Sequence, residues 1–167
     1  MNGLDPSAGA ARRDPDHPTK DPRLGLRVTH RRYVPYSHAH YAGNLVDGAY
    51  SLGLFGDVAT EVCIRTDGDE GLFASYSDVQ FRAPVRAGDV VEITAEVVKV
   101  GTRSRTLALQ AVVVGRGRPD LSASAAEMLE EPVVATTATG VVVVPATTDK
   151  PKAPSGVSKG DTPQLVE

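Results

Sequence analysis

The chain has no tryptophan, one cysteine, no marked excess of either charge and no long apolar run. A lone cysteine excludes an intrachain disulfide framework. Cys63 sits in the apolar run Val62-Cys63-Ile64, which reads as core, with only Arg65 close enough in sequence to activate a thiol. No stretch approaches the roughly 20 apolar residues of a membrane helix, so no membrane partner is expected. The first residues lack the apolar segment of a signal peptide, which makes the cytoplasm the expected location. A formal charge of -3 with a pI near 5.8 gives no footprint for nucleic acid, and five tyrosines with three phenylalanines make a poor base-stacking platform. No phosphate-binding loop, nucleophile elbow or dinucleotide fingerprint is present. His38 and His40 stand two apart with no cysteine and no H-E-x-x-H around them, so no metal is expected.

What is present suits one domain of ordinary globular composition, with 41% hydrophobic and 23% charged residues in 167. Residues 1–23 and 146–167 hold too few apolar side chains to offset their chain entropy and read as disordered tails around a domain at 24–145. Leu26 to Pro35 alternates as a strand. From Leu45 to Ile64 the apolar residues recur at spacings of three and four, which predicts a helix. Asn44 is the expected N-cap, with Asp47 in the first turn where the helix dipole favours a negative charge. Asp67-Gly68-Asp69 is a turn. Extended segments follow at Leu72 to Phe81, Val90 to Val100, Ser104 to Val114 and Val133 to Val144, with Leu121 to Glu131 expected as a short helix or a loop. The order implies an α+β fold in which an antiparallel sheet buries one face on a single long helix.

The helix carries a row at spacing four: Ala49, Gly53, Asp57, Glu61. Two small residues lead to two acids. Gly53 and Gly56 each cost a helix about 1 kcal/mol relative to alanine, and close approach of a sheet or a ligand is the usual compensation. In one reading the acids face solvent and the glycines nestle into the sheet. In the other, small residues open a ligand slot and the acids work at its end as base and cation binder. The loop His38-Ala39-His40-Tyr41-Ala42-Gly43-Asn44 leads into it, while His30, alone in an alternating strand, reads as structural.

The run Phe81-Arg82-Ala83-Pro84-Val85-Arg86-Ala87-Gly88-Asp89 after a glycine-flanked helix resembles the hotdog fold. Three blocks sharpen the match: His40-Tyr41-Ala42-Gly43-Asn44-Leu45-Val46-Asp47-Gly48-Ala49, Gly56-Asp57-Val58-Ala59-Thr60-Glu61 and Asp67-Gly68-Asp69. Lys99-Val100-Gly101, Glu131-Pro132-Val133 and Ala138-Thr139-Gly140 extend it. Together they resemble the β-aminoacyl-CoA ammonia-lyases over about residues 28–144. The resemblance implies a curved sheet of about five strands around the helix, a CoA thioester and ammonia as partners, and no cofactor beyond the CoA of the substrate. It also implies a homodimer, or a trimer of dimers, with the site between subunits. Such a site would remove an α-proton with Glu61 or Asp57, the order being open, while His40 and Tyr41 orient the substrate. Asp47, Gly48 and Ala49 would hold the enolate oxygen at the helix N-terminus, with Asn44 and Gly53 lining the slot. The competing expectations are a thioesterase or enoyl-CoA hydratase on the same fold, and a non-catalytic acyl-CoA binder. Room beside Ala49 and Gly53 favours 3-aminobutyryl-CoA over β-alanyl-CoA.

Overall fold

A computed structural model describes residues 21–145. The stretches expected as tails lie outside these residues, except for 21–23. There Arg23 bonds Asp21 and reaches Asp67 Oδ1 at 3.3 Å. Strand β1 spans Arg27–Tyr33, helix α1 Gly48–Asp67, and strands β2 to β5 span Leu72–Phe81, Val90–Val100, Ser104–Gly117 and Ala126–Val143. All pairings are antiparallel, in the order β1-β3-β4-β5-β2, so β1 and β2 form the two edges. No helix among the described residues is long and apolar enough to cross a membrane.

Strand alternation sorts the side chains. Val91, Ile93, Ala95 and Val97 of β3 and Leu107, Leu109, Ala111 and Val113 of β4 are buried against Phe55, Val58, Ala59, Val62 and Cys63 of α1. On the opposite face of β1, Arg27 and Arg31 pair with Glu96 and Glu92 across the strand. Gly140 lacks the Cβ that would come within 2.6 Å of the Phe73 ring, so the ring packs directly against the backbone of β5. At the far end of the helix Gly68, at φ 64°, turns the chain out and donates its N–H to Ile64 O. Arg105 is 1% exposed and is held by Asp67 together with the carbonyls of Gly101 and Ser104.

Two expectations are corrected. The segment Leu121 to Glu131 is neither helix nor loop throughout. From Ala126 onward it belongs to β5, because β4 runs on to Gly117 and offers its edge, pairing Gly117 with Ala126 and Gly115 with Met128. The helix also begins later than Leu45. Asn44 adopts φ 60° and its carbonyl is bound to the Ala87 N–H at 2.8 Å, which prevents the chain from turning helical there. Asp47 is the N-cap instead, its Oδ1 accepting from the Tyr50 N–H at 2.9 Å.

Candidate active site

The start of α1 is fixed from outside the helix. The N–H groups of His40 and Tyr41 both donate to Leu45 O, and the Val46 N–H donates to Val85 O. Val85 belongs to a loop that Asp89 holds in place. Asp89 is almost fully buried, accepts from the Arg86 N–H and pairs with Arg116 at 2.7 Å. The cap takes the N–H of Tyr50, and among the described residues the N–H groups of Gly48 and Ala49 have no acceptor, so they stand at the positive end of the helix.

Two cavities meet at Asp47. The inner one, about 300 Å³, lies between the helix start and β5 and is lined by Tyr41, Gly48, Ser51, Phe81, Val85 and Thr136 among others. Phe81 forms its rim, for a Cβ on Gly48 would come within 2.6 Å of that ring. The outer one is an open groove of about 600 Å³ between the helix and the end of β1, lined by Arg32, Tyr33, His38, Ala49, Tyr50, Gly53 and Asp57 among others. The His38 and Tyr50 rings pack in it with centroids 4.8 Å apart.

The acids on the helix meet bases on β1 by matching repeats. His30 and Arg32 lie two apart on a strand, about 6.6 Å, and Asp57 and Glu61 lie four apart on a helix, about 6 Å. Glu61 Oε2 lies 2.5 Å from His30 Nε2, and its other oxygen is 2.6 Å from Arg65. These bonds, that from His30 foremost and then that from Arg65, hold the Glu61 carboxyl below its ordinary value. Asp57 is 58% exposed, and its one ion-pair partner among the described residues is Arg32, at 4.0 Å. Gly53 and Gly56 do not nestle into the sheet, since a Cβ on either would meet nothing within 4 Å. Their cost to the helix is therefore not compensated by sheet packing in this chain.

Residues 43–116 match the sequence profile of the thioesterase superfamily. The chain is 50% identical over 107 residues to the 3-aminobutyryl-CoA ammonia lyase of Acetoanaerobium sticklandii, which covers 64% of this chain and 85% of the relative. The chain belongs to the β-aminoacyl-CoA ammonia-lyase family. The solved structure of β-alanyl-CoA:ammonia lyase from Clostridium propionicum agrees, with a TM-score of 0.69 at 37% identity over 72% of this chain and 86% of that one. A hexameric thioesterase from Yersinia pestis, 18% identical, shares the fold alone, with a TM-score of 0.58 over 77% of this chain and 93% of that one. The fold of this ammonia-lyase family member is thus the hotdog fold that the motifs implied.

Within this family member the residues singled out from sequence divide. Tyr41 and Gly48 line the inner cavity; Ala49, Gly53 and Asp57 line the outer groove; Asp47 lines both. Asn44 faces a third cavity beside Arg86 and Arg116. Glu61 and His40 line neither of the first two; His40 is exposed and packs edge-on against Tyr41 at 4.5 Å. Ser51, Thr136, Phe81, Tyr50 and Arg32 also line these cavities, and the sequence pattern assigns none of them a site role. Ser51 carried a signal, being a hydroxyl three residues after Gly48 on the face of the helix that also presents Phe55. Thr136, one of several threonines in β5, carried none.

Proposed function

We propose that the protein reversibly eliminates ammonia from a β-aminoacyl-CoA, with 3-aminobutyryl-CoA as the preferred substrate. The observation that carries this reading is the 50% identity over 107 residues to a 3-aminobutyryl-CoA ammonia lyase, 85% of whose length is covered. In the proposed reaction the thioester carbonyl sits at Gly48 and Ala49, whose N–H groups stabilise the enolate oxygen formed when the α-proton leaves. The electron pair of that C–H bond passes through the enolate to form the Cα=Cβ bond as the C–N bond breaks and ammonia departs. A carboxylate receives the proton. CoA is part of the substrate and no further cofactor enters.

The distances within one chain limit who can be that carboxylate. Asp57 is nine residues from Gly48, about 13 Å along the helix, and Glu61 is further. One α-carbon cannot touch both the first-turn N–H groups and these acids of the same chain. The reading therefore pairs the helix start of one copy with Asp57 or Glu61 of a second, as a homodimer or a multiple of it. Asp57 is the freer of the two acids, and Glu61 the better anchored.

The deciding assay incubates the protein with crotonyl-CoA or acryloyl-CoA, each with and without ammonium. Loss of enoyl absorbance only with ammonium, faster for crotonyl-CoA, is the expected result. Free thiol release would indicate a thioesterase instead. Loss of absorbance without ammonium would indicate a hydratase.

A further inference from the structure

Two buried hydroxyls face the inner cavity, and neither belongs to the proposed reaction as derived so far. Ser51 is 4% exposed and Thr136 2% exposed; both line the cavity, whose other walls include Val46, Phe81 and Val85. Thr136 Oγ1 donates to Ser51 Oγ at 3.2 Å. That bond uses the proton of Thr136 and one lone pair of Ser51. The Ser51 proton has no acceptor among the described residues. A buried donor left open costs about 1–3 kcal/mol unless something accepts from it. Ser51 lines an open cavity, where water or a hydrogen-bond acceptor on a ligand can use this proton.

The position of Ser51 on the helix identifies the acceptor. Helical side chains lean toward the N-terminus, so a hydroxyl at Ser51 reaches back over the first turn, on the face that Gly48 shares at spacing three. Ser51, Gly48 and Phe81 line the same cavity. We infer that Ser51 donates to the thioester oxygen as a third oxyanion donor beside the first-turn N–H groups, and that Thr136 positions it by occupying its lone pair and turning its proton outward. The inference rests on the proposed function only for the identity of the thioester. The donation from Thr136 strengthens that from Ser51, because hydrogen bonds in a chain polarise one another.

The test uses crotonyl-CoA carrying ¹³C at the carbonyl, bound to the full chain, with the carbonyl stretch read by difference infrared spectroscopy. In the wild type the stretch falls below that of the free thioester. Ser51→Ala returns it most of the way toward the free value. The same variant lowers kcat for ammonia addition by about a hundredfold, the usual effect of one oxyanion donor, with KM for crotonyl-CoA little changed. Thr136→Val gives a smaller return of the stretch, and Thr136→Ser restores the wild-type spectrum. If Ser51→Ala does not fold, Ser51→Cys replaces it, as a side chain of like shape and weak donor strength. An unchanged stretch in the Ser51 variant, or a raised KM with unchanged kcat, overturns the assignment. A wild type that polarises crotonyl-CoA through Ser51 yet consumes no ammonium overturns the lyase reading alone. A wild type that does not bind crotonyl-CoA overturns both.

Discussion

Replacing Gly53 by alanine should stabilise the fold and impair the enzyme. Gly53 has ordinary helical backbone angles, and a Cβ built on it meets no atom within 4 Å. The substitution therefore adds no clash among the described residues. Helix propensity and the smaller entropy of the unfolded chain together favour alanine by about 1 kcal/mol, or a Tm rise of about 2–4 °C for a chain of this size. Yet Gly53 lines the outer groove beside Asp57, where the new methyl would take up space needed by the substrate or a second copy. Gly56 is the control, since it too meets open space but does not line that groove. Thermal unfolding and the ammonium-dependent loss of crotonyl-CoA absorbance, measured on both variants, give the comparison. We expect both variants to melt higher, Gly56→Ala to keep near-normal turnover and Gly53→Ala to lose at least tenfold in kcat/KM. Full activity in Gly53→Ala would show that the groove takes no part in the reaction. A lower melting temperature in Gly53→Ala would show that its open face is covered in the native assembly.

Glu61→Gln and Asp57→Asn separate the two acids: the one that moves the proton should lose about a hundredfold in turnover with little change in stability, and equal small losses would remove both from that role. If Glu61 is the base, its depressed pKa keeps it ionised to low pH, so the acid limb of the rate profile lies below the ordinary carboxylate range; removing its leading partner with His30→Ala should move that limb upward, and an unmoved limb would exclude Glu61. Asp67→Asn strips a carboxylate from the buried Arg105 and should cost about 3–5 kcal/mol in denaturant unfolding, whereas a loss below about 1 kcal/mol would mean that the carbonyls of Gly101 and Ser104 suffice. Although burial pushes the Asp67 carboxyl up, its bonds to Thr66 and Arg105 leave it below the ordinary value. Its contribution to stability is then fully present above the usual carboxylate range and lost as pH falls through the lowered pKa, which acid titration of the folded signal would show against Asp67→Asn.

The elements with a strong period were legible in the sequence. The apolar spacing marked α1, and alternation marked β1, β3 and β4 with small boundary shifts. What escaped was set by partners distant in the chain. Asn44 has the composition of a cap, but its carbonyl is claimed by Ala87, so the helix waits for Asp47. The strand from Ala126 has little alternation of its own and exists because β4 presents an edge to it. The acidic stripe was visible, yet its partners were not, for His30 lies 31 positions from Glu61 and only the register of β1 brings them together. Ser51 and Thr136 lie 85 positions apart, which puts their contact beyond any local pattern. The glycines were legible as a cost, and only the structure shows that the sheet does not compensate for it.

The lone cysteine has a practical consequence. Cys63 is fully buried, packed so closely on Gly71 that a Cβ there would come within 2.8 Å of its sulfur, and burial pushes its thiol up to about 11. A thiol-reactive dye at neutral pH therefore finds almost no protein thiolate while the chain is folded. Coenzyme A released by thioester hydrolysis would be counted against a silent background, without mutating the protein. In the absence of any thioester, slow labelling of the same sulfur becomes a clock for opening of the core, read one molecule at a time by mass.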